Sequence, residues 1–152
     1  MESQYHIRYF QMSDLDALLS LERASFGVEA YDRNLFAEIF AQCGNLFLVA
    51  AAGRYIRGYL VSSTRIRLGT PRAELVSVAV CAAYRGQGIA SALMRSTLLR
   101  LRRRGVRQLS LSVRASNFPA QALYEKFGFT RLRRIRRYYE DGEDALVLRK
   151  ML

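Results

Sequence analysis

Apolar residues recur along this chain with two periods, and the switches between them mark its elements. Tyr5 to Phe10 alternates apolar with polar, as a half-buried strand does. Ser13-Asp14-Leu15-Asp16 then opens a helix, with Ser13 as N-cap and Asp16 at the capping-box position. Leu15, Leu18 and Leu19 start an apolar stripe that continues through Glu22 to Phe26, and Gly27 breaks it. Asp32 caps a second short helix with Leu35, Phe36, Ile39 and Phe40 on one side, ended at Gly44-Asn45. Strands over Leu46 to Ala52 and Tyr55 to Ser63 meet at Gly53-Arg54, which predicts an antiparallel hairpin. Thr70-Pro71 reads as a turn. In the stretch that follows, Val76, Val78 and Val80 alternate with Leu75, Ser77 and Ala79, as in a strand buried on one face.

The period changes again after Arg85-Gly86-Gln87-Gly88. A helix is predicted from about Gly88 to Arg104, with Leu93, Leu98 and Leu101 inward, Arg95, Arg100, Arg102 and Arg103 solvated, and Gly105 as its stop. Val106 to Val113 is the next strand. Asn117 caps a helix that runs to Phe127, with Pro119 in its first turn and Gly128 after its end. Phe129 to Tyr139 and Asp144 to Arg149 make a last hairpin around Asp141-Gly142. Strands interrupted by helices throughout predict one α/β domain over residues 1–152 with a mixed sheet.

Composition narrows the class. The chain has 152 residues and is 51% hydrophobic, enough for one real core and too apolar for a disordered tail. No run approaches the roughly 18 apolar residues of a membrane span, and the polar start Met1-Glu2-Ser3-Gln4-Tyr5 lacks a signal-peptide core, so a cytoplasmic protein without a membrane partner is expected. Cys43 and Cys81 stand far apart without metal spacing and read as reduced, incidental thiols. The lone histidine, His6, argues against a histidine metal site and against Ser-His or Cys-His nucleophilic catalysis, so no metal is expected. The net charge is +11, carried mostly by arginine. That balance steers anions and fits nucleic acid, ribosomes, a CoA-type ligand or a basic host proteome alike.

A strand, a glycine loop and a helix start make an anion site, because the first helical N–H groups lack partners and the macrodipole favours negative charge there. The loop at residues 85 to 90 therefore predicts a phosphate-bearing ligand, with a plain glycine turn as the alternative. It is not a dinucleotide loop: Ser91 stands where the third glycine belongs, and the strand Gln108 to Val113 ends in Ser112-Val113-Arg114 without a ribose-binding acid. Nor is there a Walker sequence. What is present is Arg85-x-x-Gly88-x-Ala90.

That pattern resembles the acyl-CoA pyrophosphate loop of the GCN5-related N-acetyltransferase (GNAT) superfamily, Q/R-x-x-G-x-G/A. Val113-Arg114-Ala115-Ser116-Asn117, Ala122-Leu123-Tyr124-Glu125-Lys126-Phe127-Gly128-Phe129, Tyr138-Tyr139 with Gly142-Glu143-Asp144-Ala145, and Glu22-Arg23-Ala24-Ser25-Phe26 extend the likeness over nearly the whole chain. Together they resemble the RimI-type branch, bacterial enzymes that acetylate the N-terminal residue of a ribosomal protein.

The resemblance implies a GNAT fold, a mixed, mostly antiparallel sheet whose central strands splay apart between flanking helices. It implies acetyl-CoA as donor. The backbone of Val78, Ala79 and Val80 would pair with the pantetheine amides, and Arg85, Gly86, Gln87, Gly88, Ile89 and Ala90 would hold the pyrophosphate. Asn117, a helix cap in its own right, would lie by the pantetheine arm. Tyr124 would give a proton to the departing thiolate, or else be a core tyrosine. Relatives carry glutamate in L-E-V-R-A-S-N where this chain has Ser112. Serine is no base at neutral pH, so Ser112 is left to position a water on the substrate side. Glu74 is then the nearest carboxylate by sequence logic, or an exposed strand-edge charge. Phe26, Val28, Tyr31, Tyr138 and Tyr139 would frame the peptide entrance, or pack their own loops.

The leading expectation is an enzyme that acetylates a protein or peptide N-terminus, as monomer or dimer. Three readings stand beside it: a lysine or small-amine acetyltransferase, a basic RNA- or ribosome-binding module using Arg100 to Arg104 and Arg131 to Arg137, and an acetyl-CoA binder without catalysis. Nothing matches a nucleic-acid motif with base-stacking aromatics, so nucleic acid is not expected as substrate.

Overall fold

The computed structural model describes residues 4–27 and 30–152, apart from the side chain of Asn45. The described residues form, in order, β1 (His6–Tyr9), α1 (Leu15–Phe26), α2 (Arg33–Cys43), β2 (Phe47–Ala52), β3 (Tyr55–Arg67), β4 (Thr70–Val80), α3 (Ile89–Arg103), β5 (Gln108–Arg114), α4 (Phe118–Lys126), β6 (Thr130–Ile135) and β7 (Ala145–Met151). The mixed sheet has strand order β1-β2-β3-β4-β5-β7-β6. Contacts group the chain into two compact units, Met1–Ser63 with Val76–Leu101 and Thr64–Leu75 with Arg102–Leu152.

In the first unit β1 pairs antiparallel with β2, and β2 with β3. Phe10 stacks on Phe47 with ring centroids 4.3 Å apart, and Phe36 meets Tyr59 edge-on at 5.8 Å. Leu15, Leu18 and Leu19 of α1 and Ile39 of α2 close over these rings. Asp32 caps α2 as its sequence predicts, accepting from the Leu35 N–H at 2.8 Å. Leu93, Leu98 and Leu101 of α3 are buried as their spacing requires.

Four local expectations fail here. A 3₁₀ turn at Met12–Asp14 precedes α1, and Asp14 takes over at this helix entry from Ser13. It accepts from the Gln11 N–H at 2.8 Å and from both Nη atoms of Arg8, because a bidentate arginine outcompetes a lone hydroxyl for the turn. Asp16 bonds Arg33 instead of closing a capping box. Leu35 is exposed, since the short α2 buries only the Phe36–Ile39–Cys43 row. Arg100 is half-buried rather than solvated; its guanidinium lies over the Tyr9 ring at 4.9 Å and bonds Ser96. Thr70-Pro71 is no turn either. The reversal lies at Leu68-Gly69, both with left-handed φ, and β4 begins at Thr70.

In the second unit β5 alternates buried Leu109, Leu111 and Val113 with Ser110 and Ser112, and pairs antiparallel with β7 along its whole length. β7 pairs with β6 across a bulge between Arg131 and Arg133. The first strand of this last hairpin is shorter than predicted, because residues 136–144 form a loop tied down by side chains, and the second runs on to Met151. β4 is the parallel neighbour of β5, and among the described residues that ladder is confined to Ala73 with Leu109 and Glu74 with Ser110. Asn117 caps α4, accepting from the Ala120 N–H at 3.2 Å. Among the described residues no helix is long and apolar enough to cross a membrane.

Candidate active site

The predicted residues fall into two groups, one in each unit. In the first, β4 runs through Val78, Ala79 and Val80, of which only Ala79 is fully buried. Among the described residues the β5 ladder ends at Glu74 while β4 continues to Val80, and a strand edge without a ladder offers backbone groups of the kind a ligand amide can meet. The chain then turns through Ala82–Tyr84 into Arg85 and reaches α3 through Gly86 and Gly88, at φ +78° and +82°. Both glycines face open space where a Cβ would stand. Left-handed backbone strains any other residue, so the glycines are set by conformation and the open space is left for a ligand. The Ala92 N–H donates to Gly88 O at 2.9 Å. The N–H groups of Ile89, Ala90 and Ser91 therefore precede the first helical donor. Ile89 is itself buried, so only its backbone faces the loop. The Arg85 Nε donates to Val80 O at 3.1 Å and holds the loop against the end of β4. Gln87 is exposed.

Gly58 of β3 belongs to this group, and sequence reasoning missed it. A Cβ there would meet Ala79 O at 3.0 Å, Ile89 Cγ2 at 3.1 Å and Val80 Cγ2 at 3.4 Å. Only a bare backbone lets β3 come that close to the end of β4 and the start of α3. Phe26, 39% exposed, ends α1, and Tyr31 packs edge-on against Phe36. Val28 lies outside the described residues.

In the second unit, α4 buries Tyr124 against Phe129, with ring centroids 5.6 Å apart. Burial, and secondarily the neighbouring Tyr139, push its phenol up to about 12. Glu74 and Ser112 are both exposed. Glu74 is level with Ser110, and Ser112 lies two residues further on the same face of β5, because side chains repeat every second residue. That register brings the predicted base and the serine at the relatives' glutamate position onto one face. Asn117 is exposed at the start of α4.

Tyr138 is 52% exposed and meets Tyr139 edge-on at 5.0 Å. What holds this pair is Arg114, which was quoted within V-R-A-S-N without a role of its own. Its Nη1 bonds Asp141 at 2.8 Å and Glu143 at 3.2 Å, and its guanidinium lies over the Tyr139 ring at 4.1 Å. Asp144 receives the Arg137 N–H at 3.0 Å and the Arg134 Nε at 2.6 Å. The Asp141 carboxyl sits below the usual range because the Glu143 N–H and Arg114 favour its charge. Among the described residues no cluster of His, Cys, Asp or Glu is arranged to hold a metal.

A family model described as the acetyltransferase (GNAT) family matches residues 15–129. An N-alpha-acetyltransferase of Saccharolobus solfataricus is 31% identical, covering 97% of this chain and 93% of its own. The solved ribosomal-protein-S18-alanine N-acetyltransferase from Escherichia coli matches with a TM-score of 0.80 at 30% identity, over 97% of this chain and 93% of that one. A chain of the NatB acetyltransferase complex bound to CoA and MES matches with a TM-score of 0.83 at 27% identity, over 97% and 99%.

Proposed function

The chain belongs to the acetyltransferase (GNAT) family, and on that premise we propose that it moves the acetyl group of acetyl-CoA to the N-terminal α-amine of a protein, a ribosomal protein foremost, acting in the cytoplasm as one catalytic domain. The observation that carries the donor is the loop itself: two left-handed glycines beside open space, leading into the unpaired N–H groups of α3.

Acetyl-CoA supplies an activated acetyl thioester when bound. Arg85 to Ala90 hold its pyrophosphate through backbone N–H groups, with positive charge from Arg85 and the helix end. The edge of Val78 to Val80 orients the pantetheine arm. Tyr124 keeps its proton at neutral pH because its pKa is about 12. That phenol is a weaker acid than an ordinary thiol near ~8.5, so outright transfer to the leaving sulfur runs uphill by roughly 3 to 4 pK units. Tyr124 therefore acts first as a hydrogen-bond donor to the charge growing on sulfur.

The base decides the acceptor class. Ser112 cannot take a proton, and Glu74 is an exposed carboxylate that accepts one through a water held at Ser112. So modest a base suits an amine that is already partly neutral. At pH 7 about a tenth of an α-amine is neutral, against fewer than about one lysine in a thousand. Phe26 and Tyr31 in the first unit, and separately Tyr138 and Tyr139 in the second, are the aromatics we assign to the acceptor.

A panel of peptides with acetyl-CoA, read by release of free thiol, tests this. Peptides with a free α-amine, including one that begins with alanine, are expected to react well ahead of the same peptides blocked at the N-terminus and carrying lysine. Equal rates would overturn the α-amine assignment, and binding of acetyl-CoA without turnover on any amine would leave an inactive binder.

A further inference from the structure

One charged side chain in the first unit takes no part in the chemistry above and yet is buried. Glu22 lies on the apolar stripe of α1, at the spacing set by Leu15, Leu18 and Leu19, and is 1% exposed. Among the described residues no ion pair reaches it; its partners are neutral donors. Its Oε1 accepts the Tyr31 N–H at 3.2 Å, and its Oε2 accepts the Tyr59 hydroxyl. The Tyr59 hydroxyl in turn lies 2.7 Å from Ser77 Oγ. A buried carboxylate is unfavourable unless hydrogen bonds satisfy it, and a leucine would complete the stripe without that cost. In return, this carboxylate ties together four segments of one unit: α1, the residue before the α2 cap, β3 and β4. Tyr31 ends the stretch, begun at Phe26, assigned to the acceptor. Ser77 directly precedes the residues assigned to the pantetheine arm.

We propose that Glu22 is a positioning residue for the protein acceptor: its buried carboxylate pins the Tyr31 end of the segment between α1 and α2 to β3 and β4, and so sets acceptor affinity. The inference rests on the acetyltransferase reading. Without the anchor the segment samples other conformations, and apparent acceptor affinity falls by the fraction of time it leaves the binding geometry.

Glu22→Leu separates this role from ordinary packing. The substitution takes one acceptor from the Tyr31 N–H and from the buried Tyr59 hydroxyl, so Tm is expected to fall modestly with the chain still folded. KM for the acceptor peptide is expected to rise about tenfold, while kcat and acetyl-CoA affinity stay within about twofold. Glu22→Gln keeps an oxygen for the Tyr31 N–H, and its amide can donate to Tyr59, so KM is expected to return to within about threefold of wild type. A folded Glu22→Leu enzyme with unchanged KM overturns the proposal, as does a parallel loss of acetyl-CoA affinity. Should Glu22→Leu not fold, amide hydrogen exchange in the wild-type chain decides. The Tyr31 amide is expected to exchange about 100-fold or more slowly than a free amide, and free exchange there overturns the anchor. A wild-type enzyme inert toward every α-amine would instead refute the activity, while the exchange measurement still reads the anchor.

Discussion

The two units build their parts of the machinery from different material. The donor site proposed in the first is backbone: N–H groups at the start of α3, two left-handed glycines and the edge of β4. The reacting groups proposed in the second, and the loop there, are side chains, with Tyr124 buried in α4 and Arg114 gripping Asp141, Glu143 and Tyr139. A backbone site tolerates most side-chain changes and fails where a glycine is lost. A side-chain site fails one functional group at a time and leaves binding of the other substrate intact.

The sharpest way to break the comparison is at Gly88. Gly88→Glu forces a side chain into φ +82° and sets a negative charge beside the proposed pyrophosphate. Strain and repulsion together are expected to weaken acetyl-CoA binding by about 100-fold or more, roughly 2.7 kcal/mol or above. Gly88→Ala carries the strain alone, about 1 to 2 kcal/mol, and is expected to lose about tenfold. Calorimetry on the folded variants checks both, and unchanged affinity in Gly88→Glu removes the donor from residues 85 to 90.

Next in size is Tyr124→Phe, which keeps the ring against Phe129 and deletes the donor. Its kcat is expected to fall by about 100-fold, the usual size of one lost hydrogen-bond donor to developing charge, with acetyl-CoA affinity unchanged. The protonated phenol is the useful form, and its raised pKa keeps it protonated, so no loss of wild-type kcat between pH 7 and 10 should trace to Tyr124. Ser112→Ala is expected to be mild, within about threefold, and Ser112→Glu to raise the rate by supplying the carboxylate of the relatives. Wild-type turnover in Tyr124→Phe, under conditions where chemistry limits the rate, would return Tyr124 to a packing role.

The smallest expected effect is at Gly58, where the backbone site depends on a position outside the loop. Gly58→Ala presses a methyl onto Ala79 O and Ile89 Cγ2. Overpacking against a strand backbone costs about 1 to 3 kcal/mol, partly offset by the stiffer unfolded chain. A net loss of about 1 kcal/mol lowers Tm by roughly 2 to 4 °C in a chain of this size. Acetyl-CoA affinity is expected to fall severalfold with it; a rise in Tm would show that β4 yields at this contact.

The same contrast explains what could be read before folding. Glycine loops announce themselves because left-handed φ leaves little choice of residue, and Asp32 and Asn117 announce helix starts because a cap bonds a neighbour three residues on. Thr70-Pro71 misled because proline is tolerated near the start of a strand, while the actual reversal used Leu68, a residue without turn character. Ser13 misled because Arg8 and Asp14 formed a stronger pair at the same turn. Glu22 carried a legible signal, a charge on an apolar stripe, but its partner Tyr59 is 37 positions away, Ser77 lies a further 18 beyond as the partner of Tyr59, and nothing local names them.

By itself the sequence determined the order of strands and helices, the glycine loop at residues 85 to 90 and, through its motifs, the acyl-CoA chemistry. These depend on local backbone preference and on residue types at fixed short spacings. Tertiary structure alone decided that Arg114 holds Tyr139 across 25 residues of chain, that Gly58 sets the approach of β3 to β4, and that Glu22 is buried with three neutral groups for company. Those depend on which distant segments share a core, and hydrogen bonds or van der Waals contacts between them leave no periodicity in the chain.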